Sequence, residues 1–217
     1  GQHAIRNHCR MNPCKYLHAP VPANLPRDVT DWIRNNAPVQ NRQWLSLAIW
    51  QCSFWWPSQH LNQGKGYVVT FDGGFDSKGN NGGSGFVIYQ LPCWYVLTFG
   101  FDYSADGASN NVEEYRGLIS GLKAMSMIST STNDQIVVLG DSQLVINQLC
   151  GIYNCGDNLS YLLDIALSYL QSHKYFCRWI PREWNGAADL LSREARRLKH
   201  WSDPIQAFSM VLIIFWL

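Results

Sequence analysis

The sequence predicts an α/β fold in which five strands form one mixed sheet flanked by helices. Three runs rich in β-branched and aromatic residues follow one another within residues 67–103, and short turns between them predict an antiparallel meander. A fourth run, residues 136–139, is apolar throughout, which is typical of a strand buried on both faces in parallel pairing. Helical periodicity around the later strands gives the order βββαβααβα.

The meander is predicted from residue 67 onward. Residues 67–71 form the first strand, and the glycine-rich residues 72–83 that follow are predicted to be a turn. Strands over residues 85–90 and 95–103 complete it, because Pro92 between them interrupts any longer strand.

The first helix is predicted from Asn110 to about Ile128. Asn110 suits an N-cap, and Glu113 three residues later is expected to complete the cap. Apolar side chains then repeat at helical spacing, at Val112, Tyr115, Ile119 and Leu122.

The second half of the domain alternates helices and strands. After the fourth strand, helices are predicted over residues 142–149 and 159–170. A fifth strand follows over residues 175–180, and a last helix over 185–199 opens after Pro181.

Amino-acid composition divides the chain into three segments. Residues 1–64 are broken by prolines and form a lead segment, residues 65–200 form the folded domain, and residues 201–217 form an apolar tail. The longest apolar run of the tail is well short of the roughly 20 residues that a membrane-spanning helix needs, so no membrane attachment is expected.

Bulk composition points to an intracellular protein, in the nucleus or cytoplasm. Seven cysteines lack the regular spacing of a secreted disulfide scaffold, which favours reduced thiols. The chain starts at Gly1 without a signal segment, so we expect a fragment or processed piece. A net charge of +1 means that any contact with nucleic acid must be local.

Four acidic residues lie in four separate motifs at predicted strand ends and helix starts. They are Asp72 in Thr-Phe-Asp-Gly-Gly, Glu114 in Asn-Asn-Val-Glu-Glu-Tyr, Asp141 in Leu-Gly-Asp-Ser, and Asp189 in Asn-Gly-Ala-Ala-Asp-Leu. Each motif alone is compatible with a turn or with an acid near a helix N-terminus. Crowded carboxylates, however, are costly unless a cation neutralises them, so together they suggest a metal site.

The motifs and their order resemble the ribonuclease H type 1 family, including the domains appended to retroelement reverse transcriptases, over about residues 66–198. The residues that carry the resemblance are Asp72-Gly73-Gly74, Asn110-Asn111-Val112-Glu113-Glu114-Tyr115, Gly140-Asp141-Ser142-Gln143-Leu144-Val145, and Ile180-Pro181-Arg182-Glu183-Trp184-Asn185 leading to Ala188-Asp189. The family fold would place the first and fourth strands side by side.

The resemblance implies endonucleolytic hydrolysis of the RNA strand of RNA–DNA hybrids, leaving a 5′-phosphate and a 3′-hydroxyl. The catalytic and metal-binding acids would be Asp72, Glu114, Asp141 and Asp189. Two Mg²⁺ or Mn²⁺ ions would be bound, because hard oxygen ligands suit these metals. Glu114 is favoured over Glu113, since adjacent helical residues point about 100° apart and Glu113 occupies a position where the family usually has alanine.

Substrate contacts also follow from the resemblance. Candidate residues for binding the hybrid are Gly73, Gly74, Ser109, Asn110, Asn111, Gln143 and Arg182. The chain departs from the family pattern in two ways. Its loop before Asp189 carries Arg182, Glu183 and Trp184 instead of a histidine, and the lysine-rich protrusion that other members use to grip the hybrid is absent.

Four residues of the lead segment have side chains that could bind zinc: His8, Cys9, Cys14 and His18. Their spacing matches no complete zinc finger. This region loosely resembles the zinc-binding region and connector that precede ribonuclease H in non-LTR retroelement proteins. An upstream reverse transcriptase region in a parent protein would then be a partner.

Two other functions remain open from the sequence. One is a non-catalytic nucleic-acid-binding remnant of a ribonuclease H domain. The other is a different nuclease of the same superfamily fold, such as an integrase or exonuclease, although these order their acids differently and lack the Asn110-Asn111 pair before the glutamate.

Overall fold

The structure is a computed structural model that describes residues 66–91, 95–106, 109–129, 131 and 133–200. Its elements are β1 (Gly66–Asp76), β2 (Asn81–Leu91), β3 (Tyr95–Ser104), α1 (Asn110–Ile128), β4 (Gln135–Gly140), α2 (Gln143–Leu149), α3 (Asp157–Leu170), β5 (Lys174–Trp179), a 3₁₀ turn (Arg182–Trp184) and α4 (Gly186–Leu198). The predicted order βββαβααβα is confirmed. The predicted lead segment, with its candidate zinc ligands, and the apolar tail lie outside the described residues.

All five strands form one sheet in the order β3-β2-β1-β4-β5. The pairs β1–β2 and β2–β3 are antiparallel, whereas β1–β4 and β4–β5 are parallel, so the predicted mixed sheet is confirmed. As the central strand, β1 lies between its antiparallel partner β2 and its parallel partner β4.

The glycine-rich segment is more regular than predicted. Instead of a turn over residues 72–83, β1 continues to Asp76 and β2 begins at Asn81, so only residues 77–80 turn. The glycines serve helix packing: a Cβ on Gly82 would lie 2.2 Å from the Glu113 carboxyl carbon, and one on Gly83 would lie 2.5 Å from the Ser192 carbonyl oxygen. Glycine inside a strand commonly marks such a close approach.

The two faces of the sheet bury separate apolar clusters. Alternation along β1 sends Val69 to a cluster shared with α1, α2 and α3, and Val68 to a cluster shared with α4. Leu118 of α1 and Leu191 of α4 are fully buried in these two clusters. The helices therefore hold their N-terminal ends at fixed positions over the sheet.

The start of α1 differs from the prediction by one residue. Ser109, and not Asn110, is the N-cap, because the Ser109 hydroxyl accepts from the Val112 amide at 3.3 Å. Glu113 does not complete the cap as predicted. Its side chain is buried and binds the Arg116 guanidinium at 2.6 Å.

Among the described residues, none of the helices has the length and apolar character needed to cross a membrane.

Candidate active site

The parallel pairing of β1 and β4 places two acids side by side. Phe71 of β1 is in register with Gly140 of β4, so Asp72 and Asp141 follow immediately at the same edge of the sheet. Asp72 is buried and Asp141 is half-buried. Adjacent strand ends therefore bring together two acids that are 69 positions apart in the sequence.

Glu114 reaches these acids because glycine lets α1 lie directly against β1. A Cβ on Gly73 would lie 2.1 Å from the backbone nitrogen of Glu114, which no side chain could tolerate. One turn further along α1, a Cβ on Gly117 would lie 2.6 Å from the Asp72 carbonyl oxygen. The Gly73 amide also donates a hydrogen bond to the Glu114 carboxylate.

Asp72, Glu114 and Asp141 form one acidic group. Each offers a carboxylate oxygen, and these oxygens lie within 4.8 Å of one another. Glu114 is the member brought by α1, while Glu113 faces Arg116 instead. The structure thus places Glu114, and not Glu113, in the acidic group, and the role of Glu114 as a metal ligand stays a prediction.

Burial and mutual repulsion make Glu114 and Asp72 hold protons strongly. Burial, with added repulsion from Asp72 and Asp141, raises the pKa of Glu114 to about 10. Burial likewise raises the pKa of Asp72 to about 6, although a hydrogen bond from Ser192 opposes the rise. Glu114 Oε2 is buried without a hydrogen-bond partner. A cation would supply the missing partner, and the all-oxygen donor set suits Mg²⁺ or Mn²⁺.

Asn185 orients the Asp141 carboxylate, a role that the sequence did not predict. Its side-chain amide donates to Asp141 Oδ1 at 2.6 Å and to the Phe71 carbonyl at 2.7 Å, so one residue ties the ends of β1 and β4 together. Trp179 adds a bond from Nε1 to the Asp141 carbonyl at 3.0 Å. Asn185 does lie in the motif that leads to Asp189, and this was the only available sequence signal.

Ser192 is a second residue that the sequence did not reveal. Its hydroxyl donates to Asp72 Oδ2, so α4 contributes a fixed polar contact to the site. Ser192 lies three residues after Asp189, on the same face of α4. That spacing was its only signal.

Asp189 lies next to the acidic group but outside it. Its Oδ1 accepts from Arg182 at 2.6 Å, and its Oδ2 lies 2.5 Å from an Arg193 guanidinium nitrogen. Its charge nevertheless contributes to the raised pKa of Asp72. The role of Asp189 as a metal ligand stays a prediction.

The predicted substrate residues surround this edge of the sheet. Asn110 Oδ1 accepts from the Phe75 amide at 2.8 Å, which joins the start of α1 to the end of β1. Ser109 caps α1, Asn111 is half-buried, and Gln143 is exposed at the start of α2. The Arg182 guanidinium binds Asp189, as described above.

The two glycines predicted to contact substrate have different neighbours. Gly73 lies under the start of α1, as described above, and Gly74 lies under Arg196, because a Cβ on Gly74 would lie 2.1 Å from Arg196 Nη1. Packing against backbone therefore requires Gly73 to be small, whereas the Arg196 guanidinium could move aside for a side chain at position 74. Substrate contact by any of these residues stays a prediction.

Comparison with known protein sequences identifies the family. Residues 70–195 match the family described as reverse transcriptase-like. The bifunctional protein Rv2228c of Mycobacterium tuberculosis is 32% identical over 131 residues, which cover 59% of this chain and 35% of that protein. YpeP of Bacillus subtilis is 32% identical over 130 residues, covering 58% of this chain and 57% of YpeP. The chain thus spans about a third of the length of the mycobacterial relative.

Solved structures share the fold. The N-terminal RNase H domain of Rv2228c, solved as a fusion with maltose-binding protein, is 31% identical with a TM-score of 0.55, covering 60% of this chain and 93% of that one. RNase H1 from Halobacterium salinarum is 28% identical with a TM-score of 0.55, covering 61% and 98%. LC11-RNase H1, solved with an RNA/DNA hybrid, is 26% identical with a TM-score of 0.55, covering 59% and 94%. The chain belongs to the reverse transcriptase-like family and carries a domain with the ribonuclease H type 1 fold.

Proposed function

We propose that this chain is an endonuclease that hydrolyses the RNA strand of RNA–DNA hybrids. The observation that carries the proposal is the convergence of Asp72, Glu114 and Asp141, whose carboxylate oxygens lie within 4.8 Å of one another. The similarity to LC11-RNase H1, which was solved with an RNA/DNA hybrid, supports this choice of substrate.

The proposed cofactor is a pair of Mg²⁺ or Mn²⁺ ions. Asp72, Glu114 and Asp141 would hold them, and Asp189 would join as the fourth ligand. When bound, such ions supply an activated water and stabilise the leaving oxygen in phosphodiester hydrolysis. The buried, partnerless Oε2 of Glu114 supports a cation at this position.

The protein orients its own carboxylates for this role. Asn185 holds Asp141 at 2.6 Å, and Ser192 holds Asp72, so neither acid can rotate freely. Partners of this kind set the direction of metal ligands and typically change affinity or activity by about 10- to 100-fold. Asp189 could bind an ion through the lone pairs that its two arginine contacts leave free, or after one of these contacts opens.

Hybrid recognition is assigned to residues around the same edge. We propose that Ser109, Asn110, Asn111 and Gln143 contact sugar and phosphate groups, and that the backbone at Gly73 and Gly74 approaches the RNA strand. Arg182 would meet a phosphate, which its 70% side-chain exposure allows. Short polar side chains and backbone amides suit the shallow minor groove of a hybrid.

We also propose a retroelement origin, with residues 65–200 as the ribonuclease H unit and a reverse transcriptase region upstream in the parent protein. The match to a reverse transcriptase-like family supports this origin. We also propose an intracellular location, in the nucleus or cytoplasm, because the spacing of the seven cysteines in the sequence is not that of a secreted disulfide scaffold.

Cleavage of defined substrates tests the proposal. The full chain is incubated with a labelled RNA–DNA hybrid, duplex RNA or duplex DNA, with and without Mg²⁺, beside Asp141→Asn. We expect cleavage of the hybrid alone, dependent on Mg²⁺ and lost in the variant. Cleavage of duplex DNA, or activity that survives the substitution, would overturn it. Mg²⁺-dependent binding without cleavage would favour the non-catalytic alternative.

A further inference from the structure

Arg196 differs from the other arginines near the site. These arginines lie on α4 and the turn before it, and they are Arg182, Arg193, Arg196 and Arg197. The first two bind Asp189 at 2.6 and 2.5 Å, and the last binds Glu194 at 2.6 Å. Among the residues that the structure describes, Arg196 has no such ion pair.

A pair of glycines leaves room for the Arg196 side chain. Gly74 of β1 is the cross-strand partner of Gly83 of β2. A Cβ on Gly74 would lie 2.1 Å from Arg196 Nη1, and one on Gly83 would lie 2.8 Å from Arg196 Cγ. The side chain therefore lies along the bare backbone of both strands.

This position is beside the acidic group. Asp72 and Gly74 are two residues apart on β1, so both face the side of the sheet that α4 covers. Ser192, one turn before Arg196 on α4, donates to Asp72 Oδ2. The guanidinium of Arg196 thus borders the site on its α4 side.

No nearby acid occupies this guanidinium. Glu113 interacts with Arg196 electrostatically. However, the Glu113 side chain is only 1% exposed and already binds Arg116 at 2.6 Å. A guanidinium with donors to spare matches the geometry of a phosphate group.

We propose that Arg196 is a binding site for a backbone phosphate of the RNA–DNA hybrid, on the α4 side of the acidic group. This inference rests on the proposed function. It gives the chain a cationic contact with the hybrid that does not need the lysine-rich protrusion missing from its sequence.

Salt dependence of binding tests the inference. The full chain carrying Asp141→Asn is titrated into a fluorescein-labelled RNA–DNA hybrid, and anisotropy gives the Kd at several salt concentrations. Adding Arg196→Gln should weaken binding about fivefold at low salt and reduce the slope of log K against log salt by about 1, because one phosphate contact is lost. The matched control is Arg197→Gln, which removes the same charge one residue away and should leave the slope unchanged.

Two further variants separate phosphate binding from packing. Arg196→Lys keeps the charge and should restore the salt slope, which a packing role would not require. Gly74→Ala keeps Arg196 but displaces its guanidinium, so binding should weaken in the same direction. Equal slopes for Arg196→Gln and Arg197→Gln would overturn the inference, even if the hybrid still binds. Failure of the unsubstituted chain to bind or cleave the hybrid would instead overturn the proposed function.

Discussion

Glu114 and Asp189 approach the same site from opposite faces of the sheet, and their surroundings differ. Glu114 comes from α1, is half-buried, and has a buried carboxylate oxygen without a hydrogen-bond partner. Asp189 comes from α4, and both of its oxygens contact arginines. A buried carboxylate oxygen without a protein partner requires a cation or a proton, whereas a carboxylate neutralised by arginine requires neither. The α1 side of the site therefore gives the stronger evidence for bound metal.

The largest expected effect comes from removing the α1-side ligand. Glu114→Gln should reduce hybrid cleavage by about 1,000-fold, because weaker metal binding removes a few kcal/mol of transition-state stabilisation. Each 1.4 kcal/mol that is lost slows the reaction about tenfold. Glu113→Gln is the matched control, since the same chemical change is made one residue away, outside the acidic group. With activity corrected for the folded fraction, equal losses in both variants would contradict the assignment of Glu114.

The second expected effect is on stability as a function of pH. Folding raises the pKa of Asp72 from 3.8 to about 6, so its favourable contribution is fully present below pH 3.8 and is lost as pH rises through 6. From this carboxyl alone, the metal-free protein should lose about 3 kcal/mol between pH 4 and 7, at 1.36 kcal/mol per pKa unit. Urea unfolding at each pH measures this loss.

Mg²⁺ and substitution of Asp72 provide the controls for that experiment. Mg²⁺ should stabilise the protein more at pH 7 than at pH 5, because ion and proton compete for the same oxygens. Asp72→Asn should flatten the pH dependence. A metal-free protein whose stability rises from pH 4 to 7, with no change on substitution, would show that the pKa of Asp72 is not raised.

A third variant tests the close packing of α1 against β1. Gly73→Ala should destabilise the protein by about 2 kcal/mol, because the new methyl group would lie 2.1 Å from backbone atoms that cannot rotate away. Gly156→Ala is the control, since its Cβ would meet only the Asn158 side chain, at 3.2 Å. Thermal unfolding of both variants measures the difference, and equal melting temperatures would rule out a close approach of α1 at Gly73.

The smallest expected effect is on the α4 side. Arg193→Gln removes one contact of Asp189, and its guanidinium is largely exposed. Exposed ion pairs are worth about 0.2 to 1 kcal/mol. If Asp189 binds an ion after releasing arginine, Mg²⁺ should then bind about two- to fivefold more tightly. Unchanged or weaker Mg²⁺ binding in a calorimetric titration would argue that Asp189 stays with its arginines and leaves the ions to the other three acids.

The sequence predicted the fold because strand and helix periodicities are local and agree with the element order. The glycine-rich segment was mispredicted, since glycine marks both turns and close packing, and the packing partner of Gly83, Ser192, lies more than 100 residues away. The cap of α1 was placed on Asn110 instead of Ser109 because adjacent polar residues offer the same chemistry.

Within the site, sequence motifs identified the acids but not the side chains that hold them. Asn185 and Ser192 act through contacts with Asp141 and Asp72 that are 44 and 120 residues distant along the chain. No local pattern encodes such pairs. The arginine contacts of Asp189 are likewise a property of how the turn before α4 folds, which the motif alone did not specify.

Calorimetric titration of Mg²⁺ into the metal-free full chain at pH 7 tests the central claim most directly. We expect binding accompanied by proton release, visible as a dependence of the heat on buffer ionisation, because the raised pKa of Glu114 leaves a proton to displace. Glu114→Gln should lose both the binding and the proton release. Identical titrations for the two proteins would contradict the claim that this buried carboxylate holds the metal.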